Sequence, residues 1–241
     1  MAGHSKYANI KHRKGAQDSQ RTKVFTKLAR RISAEAKAGA DLNDNYRLRC
    51  VVDIAKRHNM PKDKIQTAIN KGANLTEGDQ YESMNYECYA PYGVAMIIHA
   101  LTDNRNRTAS ELRSVLGKFK GNIAGAGSTT YLFEQVGLIT YHLEDREAQE
   151  KISSISMSNG ALDVTPVDLD NGMRVMTFVD NLQEVSDALV EAVGPPEESR
   201  LAWVPLQKVQ VGESQAETLH KMIDALDDLD DVQYLDHNAD I

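Results

Sequence analysis

The chain has 241 residues, of which 41% are hydrophobic and 26% are charged, a composition that is typical of globular proteins and excludes a disordered or fibrous chain. The longest apolar run, residues 94–101, is too short to cross a membrane and contains His99. No apolar segment of the kind found in secretory signals follows the first residues, and two cysteines, Cys50 and Cys88, are too few for a disulfide framework. We therefore expect a cytoplasmic protein with no membrane partner.

Charge is distributed unevenly along the chain, although the net formal charge is only −7. Residues 1–80 contain 17 Lys and Arg against 8 Asp and Glu, whereas residues 81–241 contain 11 against 27. The first 38 residues alone carry ten basic side chains and two acidic ones. Such an asymmetry indicates an N-terminal part that binds a polyanion, attached to an acidic body.

The N-terminal part is predicted to be an arm followed by three helices. Residues 1–17 show no apolar periodicity, which is typical of an extended arm. In the next segment Val24, Leu28 and Ile32 recur every four residues and predict an amphipathic helix. Two further helices are predicted from apolar spacing and, for the last one, from Pro61 at its first position. The three helices are expected over residues 19–37, 44–58 and 61–72.

After residue 84 the apolar period changes from helical to alternating. Pro91-Tyr92-Gly93 is a turn sequence between two apolar runs and predicts a hairpin. A helix follows, and the spacing of Thr108 and Glu111 matches a capping box at its start. A glycine-rich loop, residues 121–128, leads to another short strand. The strands are expected over residues 85–90, 94–101 and 130–133.

The next segment contains the complete order strand, helix, strand, strand, helix, strand, which is that of a ferredoxin-like split βαβ domain. Asp170-Asn171-Gly172 is a strong hairpin signal between the second and third strands, and Gly194-Pro195-Pro196 ends the second helix. The strands are expected over residues 138–142, 161–167, 173–179 and 201–204, and the helices over 147–158 and 182–193.

The C-terminal residues supply the elements that the earlier strand, strand, helix, strand block lacks. They contain a short strand near residue 210, a helix that Ser214 and Glu217 would cap, and a last strand over residues 232–235. We therefore predict an α+β fold of three domains: an N-terminal three-helix domain followed by two ferredoxin-like α/β domains, the second inserted in the first. The predicted boundaries are 1–79 for the basic arm plus three-helix domain, 80–134 with 205–241 for the middle α/β domain, and 135–204 for the inserted βαββαβ domain.

No arrangement of residues typical of catalysis or cofactor binding is found. The sequence has no phosphate-binding or dinucleotide-binding glycine motif, and its seven histidines lack the spacing of a zinc site. No serine, cysteine or lysine has a possible general base at the spacing typical of an activated nucleophile. Cys88 and His99 fit buried strand positions. We expect a protein that is not an enzyme and has no cofactor, metal or small-molecule substrate. The rival hypothesis is an enzyme that uses a cleft between the two α/β domains.

An acidic cluster lies on and after the last predicted helix. It is typical of a solvated face, since the alternating ligands and turn glycine of a calcium loop are absent. Because carboxylates repel phosphate, we expect this surface to point away from any bound nucleic acid. Its members are Asp224, Asp227, Asp228, Asp230 and Asp231.

The basic arm and the first helix form the candidate nucleic-acid-binding site. Lysine and arginine side chains bind phosphates, while Tyr7 offers a ring for stacking and Asn9 an amide for hydrogen bonds. Nothing in the pattern indicates a sequence preference. The candidate residues are Lys6, Tyr7, Asn9, Lys11, His12, Arg13, Lys14, Arg21, Lys23, Lys27, Arg30 and Arg31.

Several stretches resemble the YebC family. They are GHSKYANIKHRKGAQDSQRTKVFTKL near the N-terminus, ALTDNRNRTASELR at 100–113, AWVP at 202–205 and DDVQYLDHNADI at the C-terminus, and the resemblance runs over the whole chain. Members of this family have a helical N-terminal domain and two α/β domains. They include a bacterial quorum-signalling repressor and a mitochondrial translational activator. The resemblance therefore implies a non-enzymatic regulator of gene expression.

The resemblance and the basic arm leave two targets open. The usual description of the family implies a DNA-binding transcriptional regulator, which is our first hypothesis. The alternative is a ribosome-associated translation factor that binds ribosomal RNA and eases the synthesis of proline-rich stretches. No helix–turn–helix spacing supports recognition of a duplex, whereas a flexible basic arm suits looped or single-stranded RNA as well as the DNA minor groove.

Charge reversal in the arm tests its role. Replacing Lys11, Arg13 and Lys14 together by Glu should weaken nucleic-acid binding steeply, because each lost phosphate contact lowers the slope of log affinity against log salt by about 0.9 on duplex DNA. Folding should be unaffected, since these residues lie outside the predicted core. The measurement is a binding titration at several salt concentrations, and an unchanged affinity and slope would refute the hypothesis.

Overall fold

The computed structural model describes residues 21–74, 81–143, 145–167 and 172–241. The predicted arm, with the seven candidate residues between Lys6 and Lys14, lies outside the described residues, and so does most of the predicted turn at 170–172. Within the described part the predicted α+β fold is confirmed. Helices at the N-terminal end are followed by strands and helices that form two four-stranded sheets.

Three helices make up the N-terminal part: α1 (residues 21–36), α2 (Tyr46–Arg57) and α3 (Lys62–Ala73). Asn45 begins α2 by accepting a hydrogen bond from the Leu48 amide at 3.0 Å. The apolar stripe predicted for α1 is buried against the other two helices, as expected for an amphipathic helix. The shared core consists of Phe25, Leu28, Ile32, Ala36, Leu48, Val51, Val52, Ile54, Ala55, Met60, Ile65, Ala68 and Ile69.

A close contact fixes α1 against α3. The Ser33 hydroxyl donates a hydrogen bond to the Ala68 carbonyl at 2.8 Å, and both partners are buried. Gly72 makes this approach possible, because a Cβ at that position would lie 2.1 Å from the Ser33 carbonyl oxygen. The spacing of these two helices is therefore set by backbone contact.

The rest of the described chain alternates between strands and helices. In chain order the elements are β1 (Glu82–Tyr89), β2 (Ala95–Thr102), α4 (Arg105–Lys118), β3 (Asn122–Ile123), β4 (Phe133–His142), α5 (Arg146–Ser158), β5 (Ala161–Val167), β6 (Gly172–Thr177), α6 (Leu182–Val193), β7 (Glu198–Pro205), β8 (Val209–Gln210), α7 (Glu213–Asp227), β9 (Val232–His237) and β10 (Ala239–Asp240). Most of these bounds lie within two or three residues of the prediction.

The two large sheets share one spatial pattern. Strands β4 to β7 form a sheet in the order β5-β6-β4-β7, which is the ferredoxin-like order, with β4 antiparallel to both of its neighbours. The other sheet has the order β3-β1-β2-β9, so that a strand from the C-terminal end of the chain completes a sheet begun by β1 and β2. The connectivity differs, because the two central strands of this second sheet, β1 and β2, follow each other directly along the chain, whereas β5 comes between the central strands β4 and β6 of the first. Strands β8 and β10 form a separate parallel pair.

The chain divides into two compact units. The first consists of the described residues of Met1–Met84, Ala100–Ala109 and Asp224–Gln233, and the second of Asn85–His99, Ser110–Ile223 and Tyr234–Ile241. The three predicted domain boundaries stay a prediction. Among the described residues, no helix combines the length and apolar character needed to cross a membrane.

Two helix starts differ from the predicted capping boxes. Thr108 lies inside α4, and Asn104 caps the helix instead, its side-chain oxygen accepting a hydrogen bond from the amide three residues on at 3.0 Å. Ser214 lies inside α7. There the amide of Gly212 donates to the side-chain oxygen of Gln215 at 2.9 Å, and the Gln215 amide donates back to the Gly212 carbonyl. Spacing alone could not choose among neighbouring polar residues.

The strands predicted on either side of residue 135 are also corrected. Residues 130–132 form a 3₁₀ turn, and β4 then runs from Phe133 to His142 without a break. In the sequence Gly137 is typical of a break between two strands, but in the structure it lies inside β4. Only glycine fits there, because a Cβ would lie 2.2 Å from the hydroxyl of Thr177 and 2.8 Å from Cβ of Leu182. The missing side chain lets α6 pack closely on the strand.

The glycine-rich loop at 121–128 ends in a network around one carboxylate. Glu87 of β1 accepts hydrogen bonds from the amides of Gly127, Thr129 and Thr130 at 2.6, 2.6 and 3.0 Å, and from both threonine hydroxyls at 3.2 Å. Burial by itself would raise the pKa of Glu87, but these donors outweigh it and lower the pKa to about 2. The loop is therefore held by an ionised side chain.

Neutralising this carboxylate should loosen the loop. We expect Glu87→Gln to lower the free energy of unfolding by about 2 kcal/mol at neutral pH, because hydrogen bonds to a charged acceptor are lost. Because the folded pKa lies below the ordinary value of 4.5, the stabilisation is present above that value and disappears as the pH falls toward 2. Urea unfolding of both proteins between pH 7 and pH 2 should show the difference shrinking in that window, and a pH-independent difference would contradict it.

Candidate nucleic-acid interface

Five of the candidate nucleic-acid-binding residues lie on α1 and can be placed. Arg21, Lys23, Lys27, Arg30 and Arg31 occupy its solvent-facing positions or the margins of its buried stripe. Residues three or four apart share one side of a helix. Lys23 and Lys27 form an outer row, which meets carboxylates, whereas Arg30 lines a groove.

The outer row of α1 contacts the acidic cluster of the same unit. Lys23 Nζ lies 2.5 Å from Asp228 Oδ1, and Lys27 Nζ lies 2.7 Å from Asp227 Oδ1. The two aspartate side chains are 63% and 57% exposed, respectively. Two carboxylates of the acidic cluster therefore pair with predicted phosphate-binding lysines, and the expectation that the cluster points away from bound nucleic acid stays a prediction.

One member of the cluster, Asp231, is buried and organises the contact. Its side chain is 2% exposed and is bound by the Arg30 guanidinium, by Arg107 Nη2 at 2.9 Å and by the Thr108 hydroxyl at 2.6 Å, with Thr102 Oγ1 at 3.3 Å. Burial alone would raise the pKa of Asp231, but these donors and the arginine charges lower it. The predicted solvated face therefore contains a buried ion-pair centre.

A groove runs between α1 and α3 on the N-terminal part. It has a volume of about 430 Å³, and its floor is apolar, formed by Phe25, Ala29, Met60 and Ala68. Three cations reach it, and none of the described residues that line it carries a carboxylate. The complete lining is Thr22, Phe25, Thr26, Ala29, Arg30, Ser33, Met60, Lys64, Thr67, Ala68, Lys71 and Tyr81.

Two aromatic rings in the groove lie beside cations. The Arg21 guanidinium and Lys64 Nζ lie 5.1 and 5.5 Å from the centre of the Phe25 ring. Lys71 Nζ lies 5.1 Å from the centre of the Tyr81 ring and donates a hydrogen bond to its hydroxyl at 3.3 Å. Cation–π contact holds these cations at the groove. A groove of this kind can bind phosphates through lysine and apolar or aromatic ligand groups on its floor.

The sequence analysis missed Lys64, Lys71 and Tyr81. Lys64 and Lys71 are seven residues apart, two helical turns, and therefore lie on the same side of α3. That spacing was visible in the sequence. The sequence does not show which exposed side of α3 borders α1. Apolar periodicity identifies only the buried stripe of the helix, and lysines occur near both of its ends.

The residues that the structure describes contain no candidate metal centre. No group of three or more His, Cys, Asp or Glu side chains is close enough to hold a metal ion. Cys88 is completely buried, and burial raises the pKa of its thiol to about 12. A thiol that stays protonated is a poor nucleophile. His99 is half-buried on β2 and not in the core as expected, but its ring is satisfied, since Nδ1 is hydrogen-bonded to the Asn85 side chain at 2.8 Å.

The fold and the groove together define a class: a protein with a basic helical N-terminal part joined to two α/β parts. Residues 5–75 match the family model described as the TACO1/YebC protein N-terminal domain, and residues 81–239 match that of the TACO1/YebC second and third domain. The chain belongs to the TACO1/YebC family. The resemblance noted in the sequence is confirmed.

Relatives cover the chain from end to end. A protein of Idiomarina loihiensis is 43% identical over all of this chain and 96% of its own length, and one of Zymomonas mobilis is 44% identical with the same coverage. Both are named probable transcriptional regulatory proteins. The crystal structure of a conserved hypothetical protein from Aquifex aeolicus is similar, with 40% identity, a TM-score of 0.84 and coverage of 93% of this chain and 92% of that one.

The buried ion-pair centre should matter to stability. We expect Asp231→Asn to lower the free energy of unfolding by about 2 kcal/mol, because the hydrogen bonds from Arg30, Arg107 and Thr108 lose their charged acceptor. The control is Asp228→Asn, which removes an exposed ion pair and should cost less than about 0.5 kcal/mol. Urea unfolding monitored by circular dichroism measures both values. Equal effects of the two substitutions would show that Asp231 does not organise this region.

Proposed function

We propose that this protein is a non-enzymatic, nucleic-acid-binding regulator of gene expression that acts in the cytoplasm through its basic N-terminal part. The observation that carries the proposal is the groove between α1 and α3, which Lys64 and Lys71 line together and whose described lining residues carry no carboxylate. Phosphate is the ligand group that such a cluster favours. The names of the relatives, probable transcriptional regulatory proteins, support a role in transcription.

Our first candidate is a DNA-binding transcriptional regulator. In this form of the proposal the groove and the predicted arm bind phosphates, and α1 does not read bases as a recognition helix does. The outer row of α1 supports this view, because Asp227 and Asp228 lie beside it and would repel the phosphates that flank a major groove. Contacts to phosphate position a protein on DNA but carry no sequence information. Duplex binding should therefore discriminate poorly between sequences.

The second candidate is a ribosome-associated translation factor that binds ribosomal RNA. The apolar and aromatic lining of the groove favours it, since Phe25 and Tyr81 accompany the cations there. Unpaired bases in RNA loops stack on aromatic side chains while nearby lysines hold the backbone. A duplex keeps its bases stacked internally and makes less use of such a floor.

Neutralising the groove lysines tests the proposed site. Replacing Lys64 and Lys71 by Gln should weaken nucleic-acid binding and reduce the slope of log affinity against log salt by up to about 1.8 on duplex DNA or about 1.4 on a single strand. The matched control replaces Lys56 and Lys62 by Gln, two exposed lysines of α2 and α3 that do not line the groove. Equal losses in the two double variants would contradict a site in the groove.

A comparison of binding affinities separates the two proposed targets, DNA and ribosomal RNA. Affinities of the unmodified protein for a promoter fragment, a scrambled duplex and purified ribosomes should be compared at physiological salt. Promoter binding that is orders of magnitude tighter than the other two would remove the ribosomal candidate. Tight ribosome binding that the Lys64 and Lys71 substitutions abolish, with both duplexes bound weakly and alike, would remove the transcriptional one.

A further inference from the structure

The outer row of α1 is a basic surface that the chain itself covers. Lys23 and Lys27 are four residues apart and lie on one side of the helix, where Asp228 and Asp227 meet them at 2.5 and 2.7 Å. All four groups are accessible to water to some degree, and the two aspartates are more than half exposed. Ion pairs of this kind are weak and are screened by salt, so that another anion can replace the carboxylates.

The two carboxylates are nevertheless kept close to the lysines. Asp231, three residues further along the chain, is buried and bound by Arg30 of the same helix. Arg107 and Thr108 hold the same carboxylate, so that this end of the acidic segment stays fixed. A tethered group acts at a high effective concentration, since its binding is intramolecular. Asp227 and Asp228 are therefore standing competitors for any anion that approaches Lys23 and Lys27.

We propose that the outer row of α1 is a second phosphate-binding surface, and that Asp227 and Asp228 compete with nucleic acid for Lys23 and Lys27. The inference rests on the proposed function, because it needs a nucleic acid bound in the neighbouring groove. A carboxylate and a phosphate offer a lysine the same contact, an anionic oxygen that accepts hydrogen bonds. The acidic segment therefore occupies the positions that backbone phosphates would take.

The groove and the outer row are close enough for one strand to use both. Thr22, Thr26 and Ala29 line the groove, while Lys23 and Lys27 follow Thr22 and Thr26 directly in the sequence of α1. An α-helix with its side chains is about 10 Å across, a distance that two nucleotides of extended backbone can span. A strand held at Lys64 and Lys71 can thus reach the outer row once the two carboxylates leave it.

The experiment neutralises the competitors in the full-length protein. Asp227→Asn with Asp228→Asn should strengthen binding to a mixed-sequence single-stranded RNA several-fold at low salt. It should also steepen the salt dependence by up to about 1.4 in the log–log slope, because two more phosphates are contacted. Asp231 is left intact, so that the buried ion-pair centre is retained. The control is Glu147→Gln with Glu150→Gln, which removes two carboxylates that are likewise ion-paired on an exposed helix face.

A second pair of variants shows whether the gain passes through α1. Lys23→Gln with Lys27→Gln should abolish the gain in the Asp227→Asn, Asp228→Asn background, so that the protein with all four substitutions binds no more tightly than the one with the two lysine substitutions alone. The proposal is overturned if the aspartate and glutamate variants gain equally, or if the lysine substitutions leave the gain intact. Loss of binding on substituting Lys64 and Lys71, with no effect of Asp227 and Asp228, would overturn this inference and leave the proposed function standing.

Discussion

The first structural unit depends on one buried carboxylate. Asp231 brings together Arg30 from α1, Arg107 from the first turn of α4 and two threonine hydroxyls, so that three distant segments of the chain meet at one side chain. Burying a charge is costly unless every partner is in place. The ion-pair centre therefore forms as a whole. Arg30 has a structural role in it as a partner of Asp231, although the same side chain also lines the groove.

The pairing of basic side chains of α1 with aspartates changes how the basic N-terminal part should be understood. The sequence shows a large positive excess before residue 80 and a larger negative one after it, which suggests two separate surfaces. In the structure part of each excess meets the other, because Lys23 and Lys27 face Asp228 and Asp227. The positive charge that these ion pairs do not compensate is confined to a smaller region. Among the described residues no ion pair joins Lys64 or Lys71 to a carboxylate, and this leaves the groove as a positive site.

Periodicity was sufficient to predict most helices and strands, because a buried stripe leaves a local signal: Leu28 and Ile32 lie in the core as expected. It failed where the decisive contact was not local. Thr108 has the spacing of a helix cap but serves Asp231, which lies 123 positions away in the sequence. Lys23 and Asp228 are separated by 205 positions. No local pattern encodes such a pair, and so the contacts of Asp227, Asp228 and Asp231 with α1 cannot be predicted from the sequence.

The residues that remain for binding set a limit on what the groove can recognise. Reading a base edge requires a rigid, bidentate donor such as arginine, or an amide, but Arg30 is held by Asp231. Lys64 and Lys71 present single charges on flexible stems, which suit phosphate and tolerate any sequence. Phe25 and Tyr81 add ring surfaces that accept any base. Under the proposed function, selectivity in the groove must therefore come from the shape of the nucleic acid, that is, from where unpaired bases and converging phosphates occur together, and not from the order of its bases.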